Sequence, residues 1–288
     1  MKIKLIPDGF LLLFLAILIC LIITKLFVFP RLSSTISQKP LVTNESIKKI
    51  NKIQITQGDP PFSLMLEKKN TGWNLTLDKA HHYPVTDRMI ENLLNQISIK
   101  RTLYAVGPEN GLPYGIGTKE SLYLSLRDSN DTIMKTIIFG DSDIAGDDIY
   151  ILISGKKEIM RTQNTFSDFL TIATSAWVDL SIFSKQLQEN QIVEIRYSKD
   201  SNTKKFRSPG DSEIIGFTKV IESLTCVDIT NINLIPSETI TITFGDTHTL
   251  QISLAALNDD IWILKDETEG LSYIISSAMK ENIERSLN

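Results

Sequence analysis

Histidine is the side chain best suited to metal binding and proton transfer at neutral pH, and this sequence has three of them, His81, His82 and His248. Adjacent residues of a strand point to opposite faces, so His81 and His82 do not chelate one ion by themselves. A zinc site needs at least a third ligand, and no histidine, cysteine or glutamate spacing in the sequence supplies it. The histidine pair is therefore interpreted as an exposed turn before Tyr83 and Pro84.

The most acidic loop, residues 141–148, has the sequence DSDIAGDD. Aspartates at its first and third positions and glycine at its sixth imitate the start of a calcium-binding EF-hand loop. Ala145 stands at the fifth position, however, and Leu152 at the twelfth, where oxygen ligands are required. A solvated hairpin loop is the favoured interpretation, and adventitious calcium binding is the alternative.

Patterns for nucleophilic catalysis and for phosphate binding are missing from the sequence. It contains no Gly-x-Ser-x-Gly motif, no Ser-x-x-Lys in a suitable context and no cysteine close to a histidine. The glycines of residues 107–117 are interrupted by prolines and lead into a strand, whereas a phosphate loop leads into a helix N-terminus. We therefore assign no catalytic, cofactor-binding or metal-binding residue, expect no cofactor and do not expect an enzyme.

The longest apolar stretch is Phe10–Phe29, in which Lys25 is the only charge. About 20 apolar residues suffice for a helix to cross a membrane, so the stretch predicts a transmembrane anchor. No small-residue cleavage site follows, which favours a retained signal anchor over a cleaved signal peptide. Because nearly all of the chain follows this stretch, we expect a single-pass protein of the bacterial inner membrane with its bulk outside the cytoplasm.

Net charge and cysteine content argue against a nucleic-acid-binding protein and against a disulfide-stabilised one. The formal net charge is −4, which argues against nucleic-acid binding, because a phosphate-binding surface carries an excess of lysine and arginine. Cys20 lies inside the apolar stretch and Cys226 lies far from it, so no intramolecular disulfide is expected. The fold must then be stabilised by its core alone.

A short internal repeat organises the rest of the chain. The segment Asp147–Leu152 (DDIYIL) recurs as Asp259–Leu264 (DDIWIL), and a hydroxyl residue able to cap a helix, Thr165 or Ser277, follows each copy at the same offset. Apolar residues at helical spacing predict one upstream helix over 87–98 and another over about 211–224, and period-two alternation predicts antiparallel strands around them. The order β-β-α-β-β-β-α is thus expected twice, in an α+β fold with antiparallel sheets.

These patterns predict a division of the chain into six segments. A connector joins the two repeats, and Trp177 is expected to dock this connector on the first repeat. The segments are a tail (1–9), a transmembrane anchor (10–29), a tether (30–46), a first α+β repeat (47–175), a connector (176–190) and a second, shorter α+β repeat (191–288).

Several short motifs follow one another along the chain after the apolar stretch: Gly72-Trp73, Val85-Thr86-Asp87, Asn110–Gly115, Ile138-Phe139-Gly140 and Trp177-Val178-Asp179-Leu180. With this layout the sequence resembles an uncharacterised membrane-anchored family called domain of unknown function 4340, although the loop at 110–115 differs in residue order. Genes of this family often stand beside those of gliding-motility-type ABC transporter components, which implies an accessory role in an envelope transport complex. The family has no established catalytic residues to carry over.

Two functions fit these observations. The first is a membrane-anchored extracytoplasmic accessory or scaffold protein, part of an ABC-type envelope transport complex and acting through protein–protein contacts. The alternative is an extracytoplasmic ligand-binding, metal-binding or enzymatic domain. Its site would lie in a cleft between the two repeats, lined by the loops at 107–117 and 141–148, because such clefts are common ligand sites.

Overall fold

The structure is a computed structural model that describes residues 17–19, 36–70, 72–78, 81–108, 111–183, 192–208 and 212–287. The predicted anchor Phe10–Phe29 lies outside these residues except for 17–19, which are helical. The predicted tail, residues 30–35 of the tether and residues 184–190 of the connector lie outside them as well. Within the described ranges, no helix has both the length and the apolar character needed to span a membrane.

The first unit is built on a ten-stranded antiparallel sheet with the order β1-β6-β10-β9-β8-β7-β2-β3-β4-β5 in the described residues. It also contains the helices α1 (Asn44–Ile47) and α2 (Asp87–Ser98). Its strands are β1 (Ile36–Lys39), β2 (Lys52–Gln57), β3 (Phe62–Lys69), β4 (Gly72–Thr76), β5 (His82–Pro84), β6 (Arg101–Pro108), β7 (Leu122–Arg127), β8 (Ile133–Ser142), β9 (Asp148–Ile153) and β10 (Glu158–Gln163).

The second unit is built on a seven-stranded antiparallel sheet with the order β12-β11-β14-β15-β16-β17-β13 in the described residues. Its helices are α3 (Ser212–Glu222) and α4 (Ser277–Ser286). Its strands are β11 (Ile192–Lys199), β12 (Asn202–Arg207), β13 (Asp228–Thr230), β14 (Glu238–Phe244), β15 (Thr249–Ala256), β16 (Ile261–Asp266) and β17 (Leu271–Ser276).

The two units share one strand order. Strands β3-β2-β7-β8-β9-β10-β6 of the first sheet correspond to β12-β11-β14-β15-β16-β17-β13 of the second. The repeated segments DDIYIL and DDIWIL fall on the equivalent strands β9 and β16, and α2 and α3 precede the equivalent strands β6 and β13. The first unit differs by the additional strands β1, β4 and β5, which widen its sheet at both edges.

The predicted α+β class and the predicted element order β-β-α-β-β-β-α are both wrong. The described residues form a mainly antiparallel β structure, in which five strands, rather than three, follow the upstream helix of each unit. The missed strands include β6 and β13, each of which pairs with a strand much later in the chain, β10 and β17. Such long-range pairing leaves only a weak local pattern in the sequence, because the strand conformation depends on the neighbouring strand in the sheet.

The helix predicted after Thr165 is another difference, since only the 3-10 turn Ser167–Phe169 forms there. The Oδ1 atom of Asn164 accepts the backbone N–H of Phe166 at 3.4 Å, a local bond that competes with helix formation. The ring of Phe166 is fully buried, with the guanidinium of Arg101 at 4.3 Å from its centroid. Tertiary packing therefore fixes this segment in an irregular conformation.

The helices cover apolar residues of the sheets. Helix α2 occupies the range predicted from its helical spacing, and it buries Ile90, Leu93 and Ile97. Helix α3 buries Ile214, Phe217 and Ile221 in the same way. These side chains belong to a continuous apolar cluster with the alternating buried residues of the strands, and each contributes roughly 1.5–3 kcal/mol by leaving water.

A buried ionic cluster holds helix α4 on the second sheet. The Nζ atom of Lys280 lies 2.9 Å from Oε1 of Glu238 and 2.8 Å from Oε1 of Glu284, and 4.2 Å from the ring centroid of Trp262. The hydroxyl of Tyr197 donates to Oε2 of Glu238 at 2.8 Å. Burial opposes ionisation of Glu284, but hydrogen bonds from neighbouring lysines outweigh it and lower the pKa of this carboxyl.

Replacing Lys280 by methionine tests how far α4 depends on this cluster. The change leaves Glu238, whose side chain is 1% exposed, without its closest cation, and we expect the free energy of unfolding to fall by about 3 kcal/mol. Urea denaturation of the full chain measures this free energy of unfolding. The control is Arg285→Met, which removes an exposed ion pair with Glu281 and is expected to change the free energy by less than about 0.5 kcal/mol. Equal losses in the two variants would contradict a structural role for the cluster.

Candidate functional site

The three histidines have local partners and lie in different surroundings. The Nδ1 atom of His81 is 2.8 Å from Oδ1 of Asp78, and Nδ1 of His82 is 3.0 Å from the hydroxyl of Thr76. The ring of His248 stacks on Phe244. The interpretation of the histidine pair as an exposed turn is wrong, because His82 begins β5 and both side chains are half-buried. Across the described ranges, no group of three or more histidine, cysteine, aspartate or glutamate residues could hold a metal ion.

The acidic loop at 141–148 connects β8 to β9. The backbone N–H of Asp148 donates to Oδ1 of Asp143 at 3.2 Å, and the N–H of Asp143 donates to the carbonyl of Asp148 at 2.9 Å. The Oδ2 atom of Asp148 lies 3.1 Å from Nε of Arg161. Asp143 and Asp148 thus order the turn itself, and Asp148 also pairs with a cation of the neighbouring strand.

Residues 111–117 of the loop at 107–117 pack against the same end of the first sheet. The rings of Tyr114 and Tyr150 lie 4.9 Å apart. A Cβ atom on Gly140 would come within 2.2 Å of the backbone oxygen of Tyr114, so this position requires glycine. The structure therefore brings together the two loops that were expected to line a cleft between the repeats. Both loops lie within the first unit, however. The described contacts between the units are made by other segments.

A polar cavity of about 740 Å³ lies near these loops, and its arginines were not singled out from the sequence. Arg101 is 8% exposed and donates to the backbone oxygens of Gln96 at 2.5 Å and Gln163 at 3.3 Å. Burial lowers the pKa of Arg101 to about 10. Arg161, which also lines the cavity, pairs with Asp148. Both guanidinium groups are therefore engaged within the protein and help to hold strand β10 in place.

The two units meet at the side chain of Tyr83, on the edge strand β5. Its ring is fully buried, and its hydroxyl lies 2.7 Å from the backbone oxygens of both Thr230 and Ser272, which pair across β13 and β17. The backbone N–H of Ser272 donates to the same hydroxyl at 3.0 Å. Burial raises the pKa of Tyr83 to about 12, so it is a neutral hydrogen-bonding group at physiological pH. The one hydroxyl proton of Tyr83 is thus shared between two backbone oxygens of the second unit, while the hydroxyl oxygen accepts a backbone N–H.

The connector reinforces this junction. Trp177 is fully buried, and its backbone oxygen accepts the N–H of Thr86 at 3.0 Å. Val178 forms an isolated antiparallel bridge with Val85, which confirms the prediction that the connector docks on the first unit. The carbonyl of Leu180 then accepts the backbone N–H of Cys226 in the second unit at 2.9 Å. The connector therefore bonds to both units.

A groove of about 420 Å³ runs along the junction and is the candidate functional site. Phe62, which is 50% exposed, lies on one side of it, and Leu170 and Ile172 contribute partly buried apolar surface. At one end the hydroxyl of Thr174 donates to Oδ1 of Asp228 at 2.5 Å. The groove is thus mainly apolar, with a polar link between the units at its end. An open groove of this composition suits contact with another protein better than it suits acid–base chemistry.

Comparison with known protein families gives a match. The family model described as Domain of unknown function (DUF4340) matches residues 73–244. No curated protein and no solved structure matches the chain. The matched range runs from β4 of the first unit to β14 of the second, so it includes Tyr83, the connector and Asp228.

Replacing Tyr83 by phenylalanine tests the junction. The ring still fits, but the proton shared by two backbone oxygens and the acceptor of the Ser272 amide are both lost, so we expect the free energy of unfolding to fall by about 2 kcal/mol. Hydrogen exchange of the Ser272 amide should become faster in the same variant. The control is Tyr123→Phe on β7, whose hydroxyl has no hydrogen-bond partner among the described residues and whose loss should cost less than about 0.5 kcal/mol. Unchanged exchange at Ser272 would show that the hydroxyl does not hold the junction.

Proposed function

The chain belongs to the family described as Domain of unknown function (DUF4340), and we propose that it works as a scaffold in the cell envelope. In this role it is accessory to an ABC-type transport complex and acts through protein–protein contacts, without catalysing a reaction. It is held at the bacterial inner membrane through the apolar stretch Phe10–Phe29, with its bulk outside the cytoplasm. The hydropathy of that stretch supports the location, and what the family resemblance implies supports the transport complex.

The observation that carries the proposal is the apolar groove beside a fixed junction. On the second unit, Val227 next to Asp228 is 55% exposed and Ile232 next to Asn231 is 39% exposed, but neither is among the residues that line the groove. Asn231 itself donates to Asp78 of the first unit at 3.2 Å. Apolar surface gathered at one place on a folded protein marks interaction sites. Because residues from both units form this surface, a partner would contact both of them together.

A single substitution in the groove separates partner binding from folding. Phe62→Asp places a charge on an apolar contact surface, and because Phe62 is half-exposed the change should leave the fold intact. Tagged full-length chain is purified from gently solubilised membranes, and its partners are identified by mass spectrometry against a version lacking residues 45–288. We expect transporter subunits to co-purify with the parent chain. The recovered amount of these subunits should fall by about tenfold or more with Phe62→Asp, because residues at the centre of an interface carry most of the binding energy.

The matched control is Leu112→Asp, which alters an apolar side chain that is 65% exposed in the loop before β7. It should leave the yield of transporter subunits unchanged. A set of partners without any transport component would contradict the accessory role. Equal recovery with Phe62→Asp and with the parent chain would show that the groove is not the contact surface.

A further inference from the structure

A second, separate cavity of about 350 Å³ lies at the start of the first unit. It is formed between the segment that follows β1 and the strands β7, β8 and β9. The backbone N–H of Val42 donates to the carbonyl of Ile97 at 3.0 Å, which fixes this segment against the end of α2. The cavity is mainly apolar, with walls formed by Leu41, Val42, Ile50, Leu126, Met134 and Ile153.

Three lysines add positive charge to this apolar cavity. Lys39, Lys135 and Lys156 come from three separate segments of the chain, and all three line it. No acidic residue is among the described residues that line the cavity, and none of the three lysines forms an ion pair with a described carboxylate. Burial lowers the pKa of Lys135, and the charges of Lys156 and Lys39 lower it further. An anion placed among them would relieve this repulsion.

We propose that this cavity binds an anionic amphiphile, with its alkyl chain between the apolar walls and its carboxylate or phosphate head against Lys39, Lys135 and Lys156. Thr43 and Ser46 also line the cavity, and because one of their hydroxyls donates to the other at 3.0 Å, the pair leaves one O–H donor for the head group. The charge pattern selects against neutral and cationic amphiphiles. The apolar walls select against a free inorganic anion, which would leave them in contact with water.

The size of the cavity limits the ligand. At about 30 Å³ for each water-sized group, 350 Å³ accommodates about a dozen non-hydrogen groups, which corresponds to a chain of about ten carbons with its head group. Lys39 follows Phe29 by ten residues, so the cavity lies at most about 35 Å along the chain from the apolar stretch. The membrane is therefore a source of the ligand. This inference rests on the proposed location of the chain, whereas the binding chemistry of the cavity does not.

Photo-crosslinking in a lipid background tests the proposal. Full-length chain in nanodiscs of zwitterionic phosphatidylcholine is exposed to decanoate with a diazirine at the end of its chain, and to the matching decanamide. We expect the carboxylate probe to label peptides containing Val42, Ile50 or Met134 about tenfold more than the amide does. This ratio corresponds to one charge-assisted hydrogen bond that the carboxylate makes and the amide does not. Equal labelling by the two probes, or labelling only outside the cavity, would overturn the proposal.

Two kinds of variant locate the effect. Lys135→Met should reduce labelling by the carboxylate probe about tenfold, and Lys156→Met, at an exposed position, provides the same test if Lys135→Met does not fold. Met134→Trp keeps all three lysines, fills the cavity and should also abolish labelling. The control Lys119→Met removes a lysine whose side chain is 72% exposed and should label like the parent. Full labelling of Lys156→Met or Met134→Trp would contradict the site. The readout does not involve transporter subunits, so failure here leaves the scaffold proposal untouched.

Discussion

The hydroxyl of Tyr83 is the contact on which the arrangement of the two units depends. It bonds the backbone of Thr230 and Ser272 across strands β13 and β17, while its ring meets Tyr273 edge-on with centroids 5.5 Å apart. Both β5 and β13 are three-residue strands at the edges of their sheets. The edge strand of a sheet presents unpaired backbone groups to other chains, and a short edge strand or a covering segment limits this exposure. The junction brings these two short edge strands together.

The two sites that we propose lie in separate parts of the structure. The junction groove is lined by Gln57 and Phe62 at the turn between β2 and β3, by residues 170–174 and by Asp228 of the second unit. The lysine-lined cavity lies on β7, β8 and β9 and on the segment after β1, away from the β5 edge. A partner in the groove and an amphiphile in the cavity would therefore not compete for the same residues. A fixed two-unit body is also what a scaffold needs, since contacts made by one unit then restrict the position of the other.

The sequence predicted features that depend on local pattern, and it failed where structure depends on distant residues. The helix over 87–98 follows from apolar residues at helical spacing, and the docking of Trp177 follows from a large apolar side chain in a connector. By contrast, Tyr83 bonds residues 147 and 189 positions away, a relation with no local signal. Thr165 failed to start a helix because burial of Phe166 outweighed the propensity of the segment. The cavity lysines likewise belong to three segments, which the fold alone brings together.

The distance between two spin labels, one on each unit, tests whether the junction makes the units one rigid body. Labels are placed at Lys119→Cys and Arg285→Cys, whose native side chains are 72% and 71% exposed, in full-length chain with Cys20 and Cys226 replaced by alanine. Double electron–electron resonance should give one narrow distance distribution, which broadens when Tyr83 is replaced by alanine. A broad distribution in the chain that retains Tyr83 would show that the units move independently, and it would contradict the account.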